Sequence, residues 1–334
     1  MSMETSTVST SLESIRAELA HAKLSASTMN FIVWIDDPAR RDWVLERAAM
    51  LSEKIPSFTL VLDHSGTREG DASVTTTTRD EQLQFTVQGE RVDIDVSDAD
   101  AATVAAYVTA LTQTGIPTTL WWTGAREASR AIFDALLPMV QTLVFDSSGG
   151  SADETAIRAV AAFHATGPAV ALRDLAWLRL RPWQDMIATF FDDPNLRTEL
   201  YSIRRLHIRS GSDAEAFYLA GWLASALGWN ATGRDAFTDG AGNAVRFERV
   251  RDGEIRRVVS ICLDSVTSWY HGELTDDPNV VRVWVEGDYA REPRLFTLQA
   301  IDNASLLERA ILEPRRDEVL ETALRSVATL LGDA

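Results

Sequence analysis

The sequence predicts an α/β protein with two domains: a Rossmann-like N-terminal domain with a mostly parallel sheet, and an α+β C-terminal domain with an antiparallel sheet. At 334 residues the chain is longer than one hydrophobic core usually organises. Its first half alternates short apolar strands with helices, which is typical of parallel βαβ units. Its second half carries alternating strands joined by short turns. We therefore assign residues 1–27 to a flexible or helical N-terminal segment, 28–172 to the Rossmann-like domain and 173–334 to the α+β domain.

The N-terminal domain begins with the apolar run Phe31–Ile35, whose β-branched residues favour a buried strand. The two aspartates before Pro38 place negative charge at the positive end of the helix that follows. Farther along, alternating apolar residues on both sides of Gln88–Glu90 predict a hairpin with its turn there. The other predicted elements are a strand at 58–62, a helix at 101–112, a strand at 118–122, a helix at 125–137, a strand at 142–146 and a helix at 152–164.

The C-terminal domain combines one very apolar helix with several strands. Ser212 and Glu215 form a capping box that predicts the start of this helix, and Gly228 predicts its end. Strands are predicted at 203–208, 245–250, 255–263, 268–274, 280–286 and 295–300, and a last helix begins at Pro314. The alternation of these strands predicts the antiparallel sheet.

The stretch Asp174–Phe191 lies where the two predicted domains meet. Pro182 suits the first position of a helix, because its fixed φ is helical and its missing N–H is not needed there. From Trp183 onward, large apolar residues follow at i+4, i+7 and i+8, so one helix face carries them all. Such a face is most often buried in a core. Because Trp and Arg are also frequent interface anchors, contact with a partner protein is the alternative interpretation.

The composition excludes two classes of partner. The chain has 32 Lys and Arg against 49 Asp and Glu, a formal net charge of −17. So acidic a surface repels phosphate backbones and anionic lipids, and we expect neither a nucleic acid nor a membrane as partner. No apolar run has the length of a membrane span, and the first ten residues do not resemble a signal peptide. We therefore expect a cytoplasmic protein.

The sequence predicts no metal site and no cofactor. The single cysteine, Cys262, lies in the apolar run VVSICL, which indicates a small buried side chain. The five histidines are scattered and no CxxC pair occurs, so structural zinc is not expected. His164 and His207 have apolar neighbours and are interpreted as core histidines.

One loop could bind an anion. It runs from a predicted strand into a helix N-terminus, where backbone N–H groups can cradle a phosphate. Its candidate residues are Ser147, Ser148, Gly149, Gly150 and Ser151. The loop lacks the lysine of a P-loop and the GxGxxG spacing of a dinucleotide site, and Ser151 acting as a helix cap explains the same residues. No GxSxG motif is present either, so we expect no catalytic residues and favour a binding protein over an enzyme.

Several blocks along the chain resemble the glucose-6-phosphate dehydrogenase assembly proteins, the OpcA family. The most specific block is DLxWxRLxPW at Asp174–Trp183, which continues to Phe190, Phe191 and Asp192. The other blocks, in the same order as in the family, are Asn30–Ile35, Pro56–Ser57, Pro117 with Leu120–Gly124, Asp146–Ser148, and Tyr218–Ala224 with Leu227–Trp229. The chain departs from the family pattern at Phe58 and Gln184, where members often carry basic residues.

The resemblance implies a non-enzymatic protein that binds glucose-6-phosphate dehydrogenase. Such a protein acts as an allosteric activator and assembly factor, and it raises the flux into the oxidative pentose phosphate pathway and the supply of NADPH. The residues expected to contact this partner or to form a domain junction are Trp121, Trp122, Trp177, Arg179, Arg181, Trp183, Phe190 and Phe191. The alternative hypothesis is a sugar-phosphate or nucleotide sensor that uses the loop Ser147–Ser151. The sequence leaves the oligomeric state of the chain open.

Overall fold

A computed structural model describes residues 2–9, 11–21, 27–67, 71–80, 86–149, 153–194, 196–252, 257–299, 303–313 and 316–332. The chain divides into two compact units. The first unit comprises Met1–Phe145, Ala169–Arg173 and Asn303–Arg315, and the second comprises Asp146–Pro168, Asp174–Asp302 and Arg316–Ala334. This division differs from the predicted boundary at residue 172, because residues 146–168 group with the second unit and residues 303–315 with the first.

Strands and helices alternate in the first half of the chain, and strands dominate the second half. The strands are β1 Ser2–Ser9, β2 Met29–Ile35, β3 Ser57–Asp63, β4 Asp71–Asp80, β5 Thr86–Asp95, β6 Thr118–Trp122, β7 Thr142–Phe145, β8 Ala171–Asp174, β9 Arg205–Ser210, β10 Asn230–Gly233, β11 Ala236–Thr238, β12 Ala244–Arg251, β13 Val258–Asp264, β14 Ser268–Leu274, β15 Val280–Gly287 and β16 Arg291–Thr297. The α-helices are α1 Leu12–His21, α2 Arg41–Lys54, α3 Ala101–Leu111, α4 Arg130–Leu136, α5 Asp153–Ala165, α6 Leu175–Arg179, α7 Arg181–Thr189, α8 Asp213–Leu227, α9 Asn303–Leu312 and α10 Glu318–Leu330. Short 3₁₀ helices occur at Leu137–Met139 and Arg197–Ser202.

The first sheet is mostly parallel. Over the described residues its strand order is β1-β4-β5-β3-β2-β6-β7-β8. Four neighbouring pairs are parallel: β5–β3, β3–β2, β2–β6 and β6–β7. The pairs β1–β4 and β4–β5 are antiparallel. Every residue of β2, β3 and β6 is buried, which is the pattern of strands covered on both faces. The mostly parallel sheet predicted for the N-terminal half is therefore confirmed.

The turn predicted at Gln88–Glu90 is wrong. Strand β5 runs through these residues without interruption, and Gly89 lies opposite Thr77 in an antiparallel ladder with β4. The sequence pattern missed β4 because its run of threonines lacks the apolar alternation that marks a half-buried strand. Leu83 and Phe85, on which the predicted hairpin depended, lie outside the described residues. The N-terminal segment contributes α1 and also β1, which pairs with β4.

The second sheet is antiparallel except for one pair. In the part of the chain that the structure describes, its order is β10-β11-β12-β9-β13-β14-β15-β16, and only β12–β9 is parallel. Strand β9 alternates between buried and partly exposed residues, so one sheet face is covered and the other is open. This architecture confirms the antiparallel sheet predicted for the C-terminal half.

Helix α8 begins and ends where the sequence predicts. The Ser212 hydroxyl accepts a hydrogen bond from the Glu215 N–H at 3.2 Å, and Gly228 ends the helix at φ 68°.

Among the described ranges, none of the helices has the combination of length and hydropathy that crossing a bilayer demands.

Close packing of α8 against α10 leads to a stability prediction. A Cβ atom at Gly221 would lie 2.8 Å from the backbone oxygen of Ala323, so Gly221→Ala forces the two helices apart. We expect a loss of about 1–3 kcal/mol in the free energy of unfolding, measured by chemical denaturation. Gly240→Ala is the matched control, because a Cβ there meets no atom within 4 Å. Equal stability of the two variants would contradict the prediction.

Candidate functional site

The central stretch folds as β8 followed directly by α6 and α7. The Asp174 carboxylate accepts a hydrogen bond from the Ala176 N–H at 2.9 Å and so caps α6. Pro182 lies in the first turn of α7, as its fixed φ predicted. Since both helices are short, their positions depend on what their side chains contact.

The aromatic residues of this stretch are core residues of the second unit. Trp177, Trp183, Phe190 and Phe191 are all buried. Trp177 packs edge-on against Tyr218 at 5.6 Å between ring centroids, and its Nε1 donates to Asp317 at 2.9 Å. The rings of Phe190 and Phe191 pack against Tyr270 of β14, with distances between ring centroids of 5.7 and 4.8 Å. The helical spacing therefore marks a core face, which fits the interpretation favoured from the sequence.

Trp121 and Trp122 lie in the core of the first unit. They point to opposite faces of β6, and both are buried. Trp122 stacks on Trp34 at 4.9 Å and meets Phe133 of α4 edge-on at 5.0 Å. Trp121 contacts Trp43 of α2 at 6.0 Å. Helices of the first unit thus cover both faces of this strand.

The two arginines of the central stretch have different environments. Arg181 is exposed on α7, on the same side as the exposed residues Asp185 and Ala188. The Arg179 side chain is only 22% exposed. Of the eight residues predicted as partner-binding or junction residues, Arg181 therefore has the greatest access to solvent.

Arg179 is the centre of a buried polar network. Its guanidinium donates to the Asp146 carboxylate at 2.9 Å, to the Ser148 hydroxyl at 2.6 Å and to the Glu215 carboxylate at 3.2 Å. Glu215 also accepts a hydrogen bond from the Val258 N–H at 3.1 Å. The network therefore connects the loop after β7 with α6, α8 and β13.

Asp174 forms a second part of this network. Its two oxygens accept hydrogen bonds from the Ser147 N–H at 3.1 Å, from the Ala176 N–H and from the Tyr218 hydroxyl at 2.6 Å. Burial and the nearby Asp146 charge raise the pKa of Asp174 to about 6, although its hydrogen bonds oppose the shift. Burial likewise raises the pKa of Glu215 to about 7, against the attraction of Arg179. These acids titrate near neutral pH.

The N–H groups of the proposed anion-binding loop already donate to acceptors within the protein. Among its described residues, Ser147 donates to Asp174, Ser148 donates to the Asp146 side chain at 3.2 Å, and Gly149 donates to the Asp146 carbonyl at 3.1 Å. Gly150 and Ser151 lie outside the described residues. The carboxylates of Asp146, Asp174 and Glu215 outnumber the one arginine here, which disfavours a bound phosphate. The arrangement suits a hydrogen-bond network that stabilises the fold better than a site that binds an anion.

The open face of the second sheet is a broad surface of polar and aromatic side chains. By strand register they form three rows across β12, β9, β13, β14 and β15. The first row is Arg246, Arg205, Asp264, Trp269 and Glu286; the middle row is Glu248, His207, Cys262, His271 and Trp284; the third row is Val250, Arg209, Ser260, Glu273 and Arg282. These fifteen residues define what we call the open face, and ten of them line a depression of about 450 Å³.

The central stretch supports this sheet from behind. A Cβ atom at Gly272 would lie 2.7 Å from Met186 Cε, so α7 packs tightly on the covered face of β14. On the opposite side of the same strand, Trp269 is 41% exposed.

Three predictions about single residues are wrong. His164 of α5 is partly exposed, although a core position was predicted. Cys262 and His207 are partly exposed on the open face, where core positions were predicted. In the run VVSICL, strand periodicity turns Ile261 and Leu263 inward and Cys262 outward. Burial and a hydrogen bond to Asp264 raise the pKa of the Cys262 thiol well above its ordinary value, so it is a poor nucleophile. Over the described ranges, no group of three His, Cys, Asp or Glu side chains is placed to hold a metal.

Sequence reasoning did not find the open face or the partners of Arg179. Taking every second residue of β9, β13 and β14 together would have indicated a sheet face lined by Arg, His, Cys and Glu side chains. Glu215 in the first turn of a very apolar helix was a second available signal, because a carboxylate there needs a buried partner.

Two family models match the chain in succession. The N-terminal domain of the glucose-6-phosphate dehydrogenase subunit matches residues 48–162, and the C-terminal domain of that subunit matches residues 170–324. A protein of Synechococcus elongatus is 31% identical over 142 residues, which is 42% of this chain and 32% of that protein. A protein of Synechocystis sp. is 32% identical over 128 residues, 38% of this chain and 26% of that protein. Both carry the provisional name OxPP cycle protein OpcA, and the match spans about a third or less of their length.

Solved structures similar to this chain share its fold. An oxidoreductase from Sinorhizobium meliloti has a TM-score of 0.52 at 12% identity, with 92% of this chain and 98% of that chain covered. A 3-ketoreductase from Actinomadura kijaniata has a TM-score of 0.50 at 12% identity, with 91% and 96% covered. At such identity the likeness concerns the Rossmann-like fold alone.

Proposed function

Because this chain belongs to the OpcA family of glucose-6-phosphate dehydrogenase subunits, we propose that it binds this dehydrogenase in the cytoplasm and activates it without catalysing a reaction itself. The observation that carries the proposal is the succession of both subunit domain models along one chain, over residues 48–162 and 170–324. The names of the relatives, which refer to the oxidative pentose phosphate cycle, agree with it.

An activator of this kind acts by binding one conformation of the enzyme more tightly than another. A tenfold change in substrate affinity requires about 1.4 kcal/mol of coupling free energy. A few well-packed anchor residues supply that amount. The chain therefore needs a rigid surface more than it needs reactive groups.

The polar network around Arg179 supports the proposal because it makes the second unit rigid. Its hydrogen bonds tie the loop after β7, α6, α8 and β13 to one another. A surface that is fixed before binding loses less conformational entropy on association. Within the network, Asp146, Asp174 and Glu215 each accept at least one hydrogen bond. Burial raises the pKa values of Asp174 and Glu215, and their hydrogen bonds oppose that shift.

The test is a coupled NADPH assay on the cognate dehydrogenase. We expect the full chain to raise the dehydrogenase activity at subsaturating glucose 6-phosphate, and to form a larger complex with the enzyme in size-exclusion chromatography. The chain alone is expected to produce no NADPH from the same substrates. The proposal is abandoned if activity, substrate affinity and oligomer size of the dehydrogenase all stay unchanged.

Arg181 is our candidate contact within the central stretch, because it is exposed there. We expect Arg181→Glu to weaken dehydrogenase binding by about tenfold, since charge reversal at an interface adds repulsion to the lost contact. Isothermal titration calorimetry measures the change. Arg130→Glu on α4 is the control, because the Arg130 side chain is 71% exposed and lies in the first unit. Equal affinities of the two variants would show that Arg181 lies outside the contact.

A further inference from the structure

We propose that this chain closes the dinucleotide crevice of its Rossmann-like unit with its own side chains, so that it binds neither NADP(H) nor NAD(H). A fold of this class binds a dinucleotide where the strand order reverses, outside the carboxyl ends of neighbouring parallel strands. In the first sheet this reversal lies at β2, because β3 pairs with one edge of β2 and β6 pairs with the other. The space between Asp36, directly after β2, and Gly124, shortly after β6, is what we call the crevice.

The turn after β2 does not suit a pyrophosphate. A dinucleotide-binding fold has a glycine-rich turn here, and its backbone N–H groups face the phosphates at a helix N-terminus. Residues 36–40 instead read DDPAR and contain no glycine. The Ala39 N–H donates to the Asp37 carboxylate at 2.9 Å, and the Arg40 N–H donates to the Asp37 carbonyl at 3.1 Å. These donors therefore have acceptors within the turn, and the two carboxylates of the turn repel a phosphate.

The Asp36 side chain fills the crevice. A Cβ atom added at Gly124 would collide with the Asp36 carboxylate, so this carboxylate lies directly over the Gly124 backbone. Hydrogen bonds hold the loop after β6 in place, because the Thr123 hydroxyl donates to the Trp34 carbonyl at 2.6 Å and the Arg40 guanidinium donates to the Thr123 carbonyl at 3.1 Å. Burial raises the pKa of Asp36, as expected for a carboxylate packed between two strand ends. A nucleotide phosphate can enter only by displacing this carboxylate.

The acid that would bind the ribose is also occupied. In dinucleotide-binding proteins, an Asp or Glu about 20 residues after the glycine-rich turn accepts hydrogen bonds from the ribose. Asp63, at the carboxyl end of β3, is the acid in the corresponding place. It is buried, it contacts Arg41 Nε of α2 at 2.6 Å, and it accepts hydrogen bonds from the Ser65 N–H and hydroxyl at 3.0 and 2.6 Å. Arg41 and Ser65 therefore take the contacts that a ribose would need.

The closed crevice separates the fold of this chain from the cofactor that such folds bind. The similar 3-ketoreductase from Actinomadura kijaniata was solved in complex with NADP. In this chain, the Asp36 carboxylate and the Arg41 guanidinium occupy the two places where a dinucleotide would be held. One consequence rests on the proposed function: NADPH acts on the dehydrogenase, and the activator has no nicotinamide site of its own through which to respond.

Titration of the full chain with NADPH and with NADH tests the proposal in the absence of the dehydrogenase. Trp34 and Trp122 stack with 4.9 Å between ring centroids, two residues before Asp36 and Gly124, so energy transfer from tryptophan reports a reduced nicotinamide in the crevice. We expect no transfer, and no binding heat in calorimetry, up to about 1 mM nucleotide. The cognate dehydrogenase is the positive control. Saturable binding of either nucleotide in this range overturns the proposal, whether or not the chain activates the enzyme.

A double-mutant cycle tests the closure itself. Gly124→Ala should lower the Tm of the chain by at least about 2 °C, because the added methyl group collides with the Asp36 carboxylate. In the Asp36→Ala background, the same substitution should lower the Tm by less than about half as much, since the collision is removed. Gly89→Ala is the control, because a Cβ there meets no atom closer than 3.8 Å and its effect should be the same in both backgrounds. Equal effects of Gly124→Ala in the two backgrounds overturn the proposal, because Asp36 then lies outside the crevice.

Discussion

Replacing Arg179 by methionine is expected to lower the free energy of unfolding by about 3–5 kcal/mol, because it leaves buried carboxylates without their counter-ion. Arg179 is the cation that contacts both Asp146 and Glu215, at 2.9 and 3.2 Å. Methionine keeps much of the volume of the arginine stem, so the loss measures charge and hydrogen bonding more than a cavity.

The control for this experiment is Arg181→Met in the same stretch. Arg181 is exposed, and its replacement should change the free energy of unfolding by less than about 0.5 kcal/mol. Urea denaturation at pH 8 followed by circular dichroism compares the two variants. The deficit of Arg179→Met should shrink at pH 5, where protonation neutralises Glu215. A loss below about 1 kcal/mol at pH 8 would show that the network contributes little to stability.

The second large effect is a pH dependence due to Glu215. Its pKa is raised from 4.5 to about 7, so between these values the folded chain binds more protons than the unfolded chain. The stability contributed by protonated Glu215 is fully present below pH 4.5 and is lost as the pH rises through 7. Compared with Glu215→Gln, the natural chain should lose on the order of 2–3 kcal/mol between pH 5 and pH 8.

A comparison with Glu215→Gln is necessary because other groups titrate in the same range. Burial lowers the pKa values of His164 and His271, which makes stability rise with pH through the ordinary histidine range and opposes the effect of Glu215. Asp174, with a pKa of about 6, acts in the same direction as Glu215. All three groups are present in both proteins, so the difference isolates Glu215. If the free energies of unfolding of the natural chain and of Glu215→Gln change in parallel across this pH range, the raised pKa of Glu215 is contradicted.

The fold class could be predicted because local rules agree with it. Pro182 at a helix start, the Ser212 hydroxyl as the N-cap of α8, and Gly228 with a positive φ each act within a few residues of chain. Apolar runs long enough for strands, separated by helices, then determine the parallel sheet. The prediction of a turn at Gln88–Glu90 was wrong because strand β5 depends on a partner that carries few apolar residues.

The candidate sites could not be predicted in the same way. Arg179 lies 33 residues from Asp146 and 36 from Glu215, and no spacing rule relates such positions. The open face depends on the order of β12, β9, β13, β14 and β15, which are not neighbours in chain order throughout. Each of these strands contributes one residue to a row, and a row exists only after the register is formed.

Periodicity, caps and charge balance thus decided which segments are helices and strands, which faces are apolar, and that the protein is acidic. These properties depend on residues close together in the chain. The sheet order, and the convergence of Asp146, Asp174 and Glu215 near one arginine, were decided by packing, because burial of a charge is favourable only where distant segments supply its partner. The same packing turned Cys262 outward and lined up opposite charges at the two margins of one sheet face.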